Sequence, residues 1–300
     1  MNTEIALSGR QHAGGILQRE PLAFTVLLNW NGWKDTVECL SSLQKLEYGN
    51  NRALVVDNGS TNDSVQHIRA QFPQVEIIEM GKNLGFAGGC NAGIRAAIDR
   101  GAKYVWLLNN DTTMDPGALR AMVEMAEADS RLGAVGSVIY DMHPPHRVQA
   151  WGGGRINLWF GRSSHCTKEA SGNELDYLTG ASLLLRREAL EDVGLLDEGF
   201  FMYWEDADQC FRLRKAGWKL GVACESHVRH KESASLGKTN STFDLYVWTS
   251  MVRFCVRHAR LPFLAVVIAA ARMISKRILH LELSRAMRLC RAIVAGSYHK

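Results

Sequence analysis

Four polar segments stand out, three directly at the end of a short apolar run and one just beyond such a run. They are Asn29-Trp30-Asn31-Gly32, Asp57-Asn58-Gly59-Ser60-Thr61-Asn62-Asp63-Ser64, Asn83 to Gly93, and Asn109-Asn110-Asp111. Asn-Gly and Asp-Asn-Gly are common turn formers, so any one of these segments alone reads as a turn. Together they supply oxygen acceptors, amide donors and glycines suited to holding a nucleoside diphosphate. The candidates on this side are Asn29, Asn31, Asp57, Asn58, Asn83, Gly85, Asn91, Asn110 and Asp111. Asp57 offers acceptors for a pyrimidine imide or a ribose hydroxyl. The glycines of 85–93 allow close backbone approach, and a helix starting there would point N–H groups at phosphate. Small residues are also what helix–strand packing demands, so the glycines have two readings. Asp111 is a hard oxygen ligand for Mg²⁺ or Mn²⁺, or else a helix cap before Pro116.

A second cluster is Gly199-Phe200-Phe201-Met202-Tyr203-Trp204-Glu205-Asp206-Ala207-Asp208. Three acids beside four aromatic rings make an unusual solvated face. Carboxylates among rings have raised pKa values, which suits general-base chemistry near neutral pH. The same acids also suit the first turn of a helix carrying Cys210, Phe211 and Leu213. His227 and His230 follow an apolar run at Leu220–Ala223; a lone histidine is more often structural than a ligand, but His230 becomes of interest if it faces Asp111.

Positioning these groups requires a sheet. Phe24–Leu28, Ala53–Val56, Val75–Ile78, Tyr104–Leu108 and Ala134–Ile139 read as buried strands. Between them Val37, Leu40 and Leu43, then Val65, Ile68 and Phe72, then Leu119, Met122, Val123 and Ala126 fall at helical spacing. Ser60 or Thr61 is the expected cap of the second helix, and Pro116 suits the first turn of the third. This alternation predicts an α/β domain with a mostly parallel, Rossmann-like sheet flanked by helices. In such a sheet, ligands bind beyond the carboxyl ends of the strands, where the polar segments lie. Residues 141–175, with His143-Pro144-Pro145 and Gly152-Gly153-Gly154, predict a loop-rich insertion or short hairpins.

Composition narrows the class. The 300 residues are 46% apolar and 22% charged, ordinary for a protein with a real core. Seven cysteines, with no Cys-x-x-Cys pair, argue against a disulfide framework and a thiolate zinc site. From Leu245 onward ten Lys or Arg face one acid, Glu282, whereas the remainder carries 25 basic and 30 acidic residues. A mildly acidic body does not look like a nucleic-acid binder. Arg253, Arg257 and Arg260 share one helical face, as do Arg285, Arg288 and Arg291. The apolar run Leu261–Ala271 falls short of the ~20 residues that span a bilayer. This tail predicts a basic amphipathic helix on an anionic membrane surface, or a helix packed on the domain. The expected organisation is a loose leader at 1–20, with no secretory signal. A catalytic domain follows at 21–240, donor part to about 140 and acceptor part from about 175, and then a helical tail at 241–300.

Taken in order, these motifs resemble those of family 2 glycosyltransferases of the GT-A type, near the rhamnosyltransferase-like and galactofuranosyltransferase-like branch. The resemblance rests on the Asn29–Gly32 turn, Val55–Ser60, Asn83–Gly93, Leu108–Asp111, Thr179-Gly180-Ala181 and Trp204–Asp208, and covers roughly Phe24 to Ser235. It implies that Asp57 binds the donor base, while Asn83 and Gly85 line the diphosphate and sugar pocket. It makes Asp206 the catalytic base and Glu205 a neighbour that binds acceptor or donor sugar. Thr179, Gly180 and Trp204 would border the acceptor. Asp111 matches the last residue of the family's Asp-x-Asp metal motif and His230 its second metal ligand. The first acid of that motif is Asn109 here, which weakens the expected hold on Mg²⁺ or Mn²⁺.

The implied activity is inverting transfer of a single sugar from a nucleotide-sugar, dTDP-rhamnose being favoured by likeness, to a glycan or lipid-linked glycan. The implied location is the cytoplasmic face of the plasma membrane in bacterial surface polysaccharide synthesis, with a homodimer left open. A nucleotidyltransferase would not need the aromatic–acid cluster. A silent carbohydrate-binding protein would have no use for Asp57, Asp111 and Asp206 together. A processive synthase would carry transmembrane helices and a Gln-x-x-Arg-Trp element.

Overall fold

The computed structural model describes residues 20–231 and 241–279, together with Met287 and Cys290. The elements begin β1 (Ala23–Asn29), α1 (Trp33–Leu43), β2 (Asn51–Asp57), α2 (Ser64–Gln71), β3 (Glu76–Glu79), α3 (Gly85–Asp99) and β4 (Tyr104–Asn109). They continue with β5 (Thr112–Met114), α4 (Ala118–Ala128), β6 (Leu132–Asp141), β7 (Val148–Trp151), β8 (Gly153–Asn157), β9 (Arg162–His165), β10 (Tyr177–Leu178) and β11 (Ser182–Arg186). Last come α5 (Arg187–Val193), α6 (Glu205–Lys215), β12 (Lys219–His230), α7 (Ser241–His258) and α8 (Pro262–Leu279).

The main sheet runs β3-β2-β1-β4-β11-β6-β12-β5, with β7 paired to β6. Because β11 is antiparallel to both β4 and β6, the strands β3, β2, β1, β4, β6 and β12 all point one way. The sheet is therefore mostly parallel, as expected, with β5, β7 and β11 reversed. A wholly buried strand such as Ser182–Arg186 looks the same in sequence whichever way it runs, so its reversal was not readable.

Side chains alternate across this sheet with the two-residue period of a strand. Along β1, Phe24 and Val26 face the core shared with Ala87, Cys90 and Ile94 of α3. Ala23 and Leu27 face the opposite core, with Cys39 and Leu40 of α1 and Leu119 and Met122 of α4. Both faces are covered, as a parallel sheet requires.

Several expectations change in detail. Neither Ser60 nor Thr61 caps α2. That helix follows Asp63, and the Ser60 hydroxyl instead donates to Asp57 Oδ1 at 2.6 Å. Pro116 lies two residues ahead of α4, in the turn where the Ala118 N–H donates to the Asp115 carbonyl. The strand expected to end at Ala223 runs on to His230 after a register shift between Ala223 and His227. The polar Cys224-Glu225-Ser226 interrupts the apolar pattern there and hides the continuation. Residues 141–175 do form short strands, and β8 pairs with β9 and β10 in a separate three-stranded sheet.

The tail departs most from the membrane-facing expectation. Arg253 and Arg257 of α7 point into the domain and pair with Asp197 at 3.0 and 2.6 Å. Trp248, Met251, Val252 and Cys255 of α7 pack with Ala265 and Ala269 of α8. Residues 1–19 of the leader predicted at 1–20, and the second arginine set, Arg285, Arg288 and Arg291, lie outside the described residues.

Candidate active site

The carboxyl ends of β1, β2 and β4 are in register, Asn29 opposite Asp57 and Leu28 opposite Asn109, so their polar extensions meet at one edge. A cavity of about 800 Å³ opens there. Among the predicted residues, Asn31, Asn58, Asn83, Asn110, Asp111, Thr179, Gly180, Trp204, Glu205, Asp206 and His230 line it. Asn29, Asp57, Gly85 and Asn91 are not in its lining.

Those four act behind the wall. Asp57 is 4% exposed. Its carboxylate accepts from Asn29 Nδ2 at 2.7 Å, from the Ser60 hydroxyl, and from the Ser60 N–H at 3.0 Å. Asn29 Oδ1 in turn accepts from Thr36 Oγ1, which accepts from Asn110 Nδ2 at 2.9 Å. A buried chain of hydrogen bonds thus sets the three loops against one another. Ser60 Oγ also accepts the N–H of Asn31, which sits in the left-handed region at φ 57°. Asn91 donates to the Leu196 carbonyl and to Glu198, and accepts the Leu196 N–H, so it ties α3 to the segment before the acidic cluster.

Three amides at the start of α3 already donate within the protein, so this helix end offers fewer free N–H groups to a phosphate than expected. The Gly85 N–H donates to Asn83 Oδ1, the Phe86 N–H to the Phe201 carbonyl, and the Leu84 N–H to Asn58 Oδ1. The glycines serve packing instead. A Cβ at Gly89 would lie 2.3 Å from Leu28 Cδ1, and one at Gly93 2.3 Å from Val26 Cγ1. Gly85 has φ +75°, and a Cβ there would meet the Phe201 carbonyl oxygen at 2.2 Å. Gly85→Ala is expected to cost more than about 1 kcal/mol and to push the 199–204 segment out of place. A thermal midpoint unchanged from wild type would contradict this.

That segment carries the acids. Tyr203 and Trp204 are consecutive non-glycine residues in the left-handed region, φ 71° and 72°. Such strain persists only where surroundings hold it. Trp204 packs on Phe254 with ring centroids 4.9 Å apart, Phe201 stacks on Tyr246, and Ser250 Oγ donates to the Met202 carbonyl at 2.9 Å. Helix α7 therefore braces the turn from behind. The turn starts α6 so that Glu205 and Asp206 face the cavity.

Asp206 Oδ2 accepts the Gly180 N–H at 2.8 Å and its Oδ1 accepts the Ala207 N–H at 2.7 Å. Burial raises its pKa above the ordinary carboxylate value, and these two N–H groups and His165 limit the rise. Glu205, 6% exposed, is raised well above its usual value by burial and then by the neighbouring Asp206 charge. Asp208 behaves oppositely. Burial alone would raise it, but His258 and Arg212, with Arg257, bring it down to about 2. It points away from the cavity into the α6–α7 contact, not towards the chemistry.

Also in the lining, Asp111 Oδ1 lies 3.3 Å from His230 Nε2. His230 Nδ1 is 3.2 Å from Gln149 Oε1, and Gln149 is oriented by donating its amide to the His230 carbonyl at 2.9 Å. The tautomer with Nδ1–H given to Gln149 would leave the Nε2 lone pair towards Asp111, which suits two candidate metal ligands and one outer-sphere partner. Asn109 Nδ2 lies 3.3 Å from the same nitrogen. Among the described residues, no three His, Cys, Asp or Glu gather around one point. A carboxylate and an imidazole beside an open cavity still fit Mg²⁺ or Mn²⁺, which take few protein ligands and complete their shells from phosphates.

Several lining residues were not singled out by sequence reasoning: Trp30, Asp35, Phe86, Ser163, His165 and Tyr177. The last three arrive from the small sheet, where Tyr177 Oη lies 3.2 Å from His165 Nδ1. Nothing in the irregular 141–175 stretch marked Ser163 or His165, and Tyr177 lies just beyond it. Gln149 was equally invisible, because its role depends on β7 pairing beside the end of β12.

The pattern of glycosyl transferase family 2 matches residues 25–194. The chain is 31% identical over 208 residues to the N-acetylglucosaminyl-diphospho-decaprenol L-rhamnosyltransferase of Mycobacterium tuberculosis, covering 62% of this chain and 68% of that protein. It is also 31% identical over 185 residues to the galactofuranosyltransferase GlfT1 of that organism, 59% of each chain. The fold is similar to that of a mannosyltransferase, PcManGT, from Pyrobaculum calidifontis, solved with GDP-Man and Mn²⁺. The TM-score is 0.60 at 16% identity over 94% of this chain and 77% of that one.

Proposed function

Since the chain belongs to glycosyl transferase family 2 and is a glycosyltransferase, we propose that it transfers one sugar, with inversion, from a nucleotide-sugar held by a divalent cation. The observation that supports this reading is one cavity lined by Asp111 and His230 together with Glu205 and Asp206. Asn31, Asn58, Asn83, Asn110 and Asp111 form the donor side. Asn29, Asp57, Gly85 and Asn91 support it from behind. Thr179, Gly180 and Trp204 border the acceptor. The rhamnosyltransferase relative favours dTDP-rhamnose as donor and a lipid-linked diphosphate glycan as acceptor.

In this account Asp206 takes the proton of the acceptor hydroxyl as that oxygen attacks the anomeric carbon on the face opposite the nucleotide. The bond from that carbon to the diphosphate oxygen breaks, the nucleoside diphosphate leaving with the electron pair. The Gly180 and Ala207 N–H groups fix the carboxylate, so that its orientation is set before substrate arrives. Asp111 and His230 would hold Mg²⁺ or Mn²⁺, which supplies charge neutralisation at the diphosphate. Gln149 keeps His230 in the ligating tautomer. Removing metal with EDTA is expected to abolish transfer and added Mn²⁺ to restore it, and Asp111→Asn should lower kcat/KM by more than about tenfold. Undiminished turnover in EDTA would refute the metal assignment.

Membrane association in this account rests on α8, not on the α7 arginines. Phe263 is 83% exposed, and Leu261, Leu264 and Val267 are also exposed large apolar residues. Exposed Arg260 and Arg272 lie on either side of them in sequence. Among the described residues no helix is long and apolar enough to cross a membrane. An apolar face with basic flanks suits the interface of an anionic bilayer on the cytoplasmic side.

A further inference from the structure

The small sheet supplies a part of the cavity lining that the donor and base assignments leave unused. Ser163 and His165 of β9 and Tyr177 of β10 all line it. In register, Gly154 of β8 pairs with His165 on one side and with Tyr177 on the other. Their backbones therefore stand two strand spacings apart, about 10 Å. Gly154 puts no side chain between them, so the two rings close to a centroid distance of 5.9 Å, with Tyr177 Oη 3.2 Å from His165 Nδ1. A Cβ at Gly154 would also meet the Ser164 carbonyl oxygen at 2.1 Å. The glycine at this position lets a tyrosine reach a histidine across an intervening strand.

The two partners differ in what they leave free. Tyr177 is 5% exposed, and burial pushes the pKa of its hydroxyl up, so it stays an O–H. Ser163 adjoins the same oxygen, and the polar atom of Tyr177 is used inside the wall. His165 is exposed, and among the described residues its Nε2 makes no hydrogen bond. An imidazole pinned at Nδ1 with Nε2 open to a cavity is oriented before a ligand arrives, which lowers the cost of ordering it on binding.

Position relative to the base indicates which substrate it meets. Tyr177 lies three residues before Gly180, whose N–H donates to Asp206 Oδ2 at 2.8 Å. The charges of His165 and Asp206 act on each other, as do those of Tyr177 and Asp206. The pair therefore adjoins the base, to which the acceptor hydroxyl must come.

We propose that His165 is an acceptor-binding residue, its Nε2 hydrogen-bonding an acceptor oxygen near the attacked hydroxyl, on the sugar or on an attached phosphate. Tyr177 and Ser163 are positioning residues that act through it. This rests on the glycosyltransferase reading above and adds a specificity-determining side chain and the class of atom it reads.

The test uses two soluble probes of the acceptor class proposed above. One is N-acetylglucosamine joined through a diphosphate to a short alkyl chain, and the other is an alkyl N-acetylglucosaminide without the diphosphate. His165→Ala should raise the acceptor KM about tenfold, the loss of one good hydrogen bond, with donor affinity and thermal midpoint close to wild type. His165→Gln, whose amide reaches the Nε2 position, should recover most of that loss. Tyr177→Phe should raise the acceptor KM about threefold, and add nothing in the His165→Ala background. A penalty with both probes assigns the oxygen to the sugar, and one confined to the diphosphate probe assigns it to phosphate. An unchanged acceptor KM in His165→Ala, an equal loss of donor affinity, or additive losses in the double variant would overturn the proposal. A second readout is the histidine Cε1–H NMR signal that His165→Ala removes, which should shift when a probe is added. If wild-type protein binds no nucleotide-sugar and turns over neither probe, the glycosyltransferase reading fails. The NMR signal still decides the His165 site in that case, and no shift with either probe rejects it.

Discussion

Asp206→Asn is expected to reduce kcat about 10³-fold while leaving the thermal midpoint and donor affinity close to wild type. The general base contributes roughly 10²–10⁴-fold in enzymes that rely on one. Asparagine keeps the shape of the side chain and an oxygen for the Gly180 N–H, which now sits 2.8 Å from Oδ2, at the cost of the acceptor that the Ala207 N–H has in Oδ1. What it loses is the ability to take a proton. Because Asp206 titrates above an ordinary carboxylate, the wild-type rate should fall on its acid side at a higher pH than a solvated aspartate would give. The variant should show a low rate without that limb. Steady-state kinetics across pH, with calorimetric donor binding on the same preparations, check both parts. A variant that folds and turns over normally would remove Asp206 from the chemistry.

The second large effect is on stability. Asp208→Ala is expected to cost about 3–5 kcal/mol, because it leaves two arginines facing an emptied buried site. Asp208 is fully buried and accepts from Arg212 at 2.8 Å and Arg257 at 2.9 Å, with His258 Nε2 at 2.8 Å. For a protein of this size the loss corresponds to a fall in thermal midpoint of about 10 °C. The depressed carboxyl also predicts an acid limit. The folded pKa of about 2 lies below the unfolded value of about 3.9, so the contribution is complete above about pH 5 and is lost as pH falls through about 2. It amounts to roughly 2 kcal/mol. Thermal melts between pH 2 and pH 6 should show a steeper acid loss in wild type than in Asp208→Asn. Parallel curves would contradict the assignment.

Asp208 also shows how far the sequence could be read. Its place among three acids before an amphipathic helix was visible, but not that it turns inward to receive α7. That depends on Arg257 and His258, some fifty residues away, and on a helix whose arginines read from spacing alone as a solvated or lipid-facing stripe. The parallel strands and their polar endings were legible because Val, Leu and Ile runs followed by Asn and Asp have few other uses. The division of those endings into lining and support was not, since Asn29 and Asn31 differ in sequence only by position. Asp111 and His230 were paired through resemblance, and the geometry places them within contact. The small-sheet wall, with Ser163, His165 and Tyr177, carried no periodic signal.

The most direct test of the central claim is a thermal-shift series with UDP, dTDP, GDP and their sugars, each with and without Mn²⁺. A ligand that binds only the folded state raises the midpoint, by about 2.7 kcal/mol of stability at a hundredfold excess over Kd. The account predicts that one nucleotide class stabilises the protein, that Mn²⁺ enhances the shift, and that Asp111→Asn removes the enhancement. No shift from any nucleotide at saturating concentration, in protein that melts cooperatively, would contradict it.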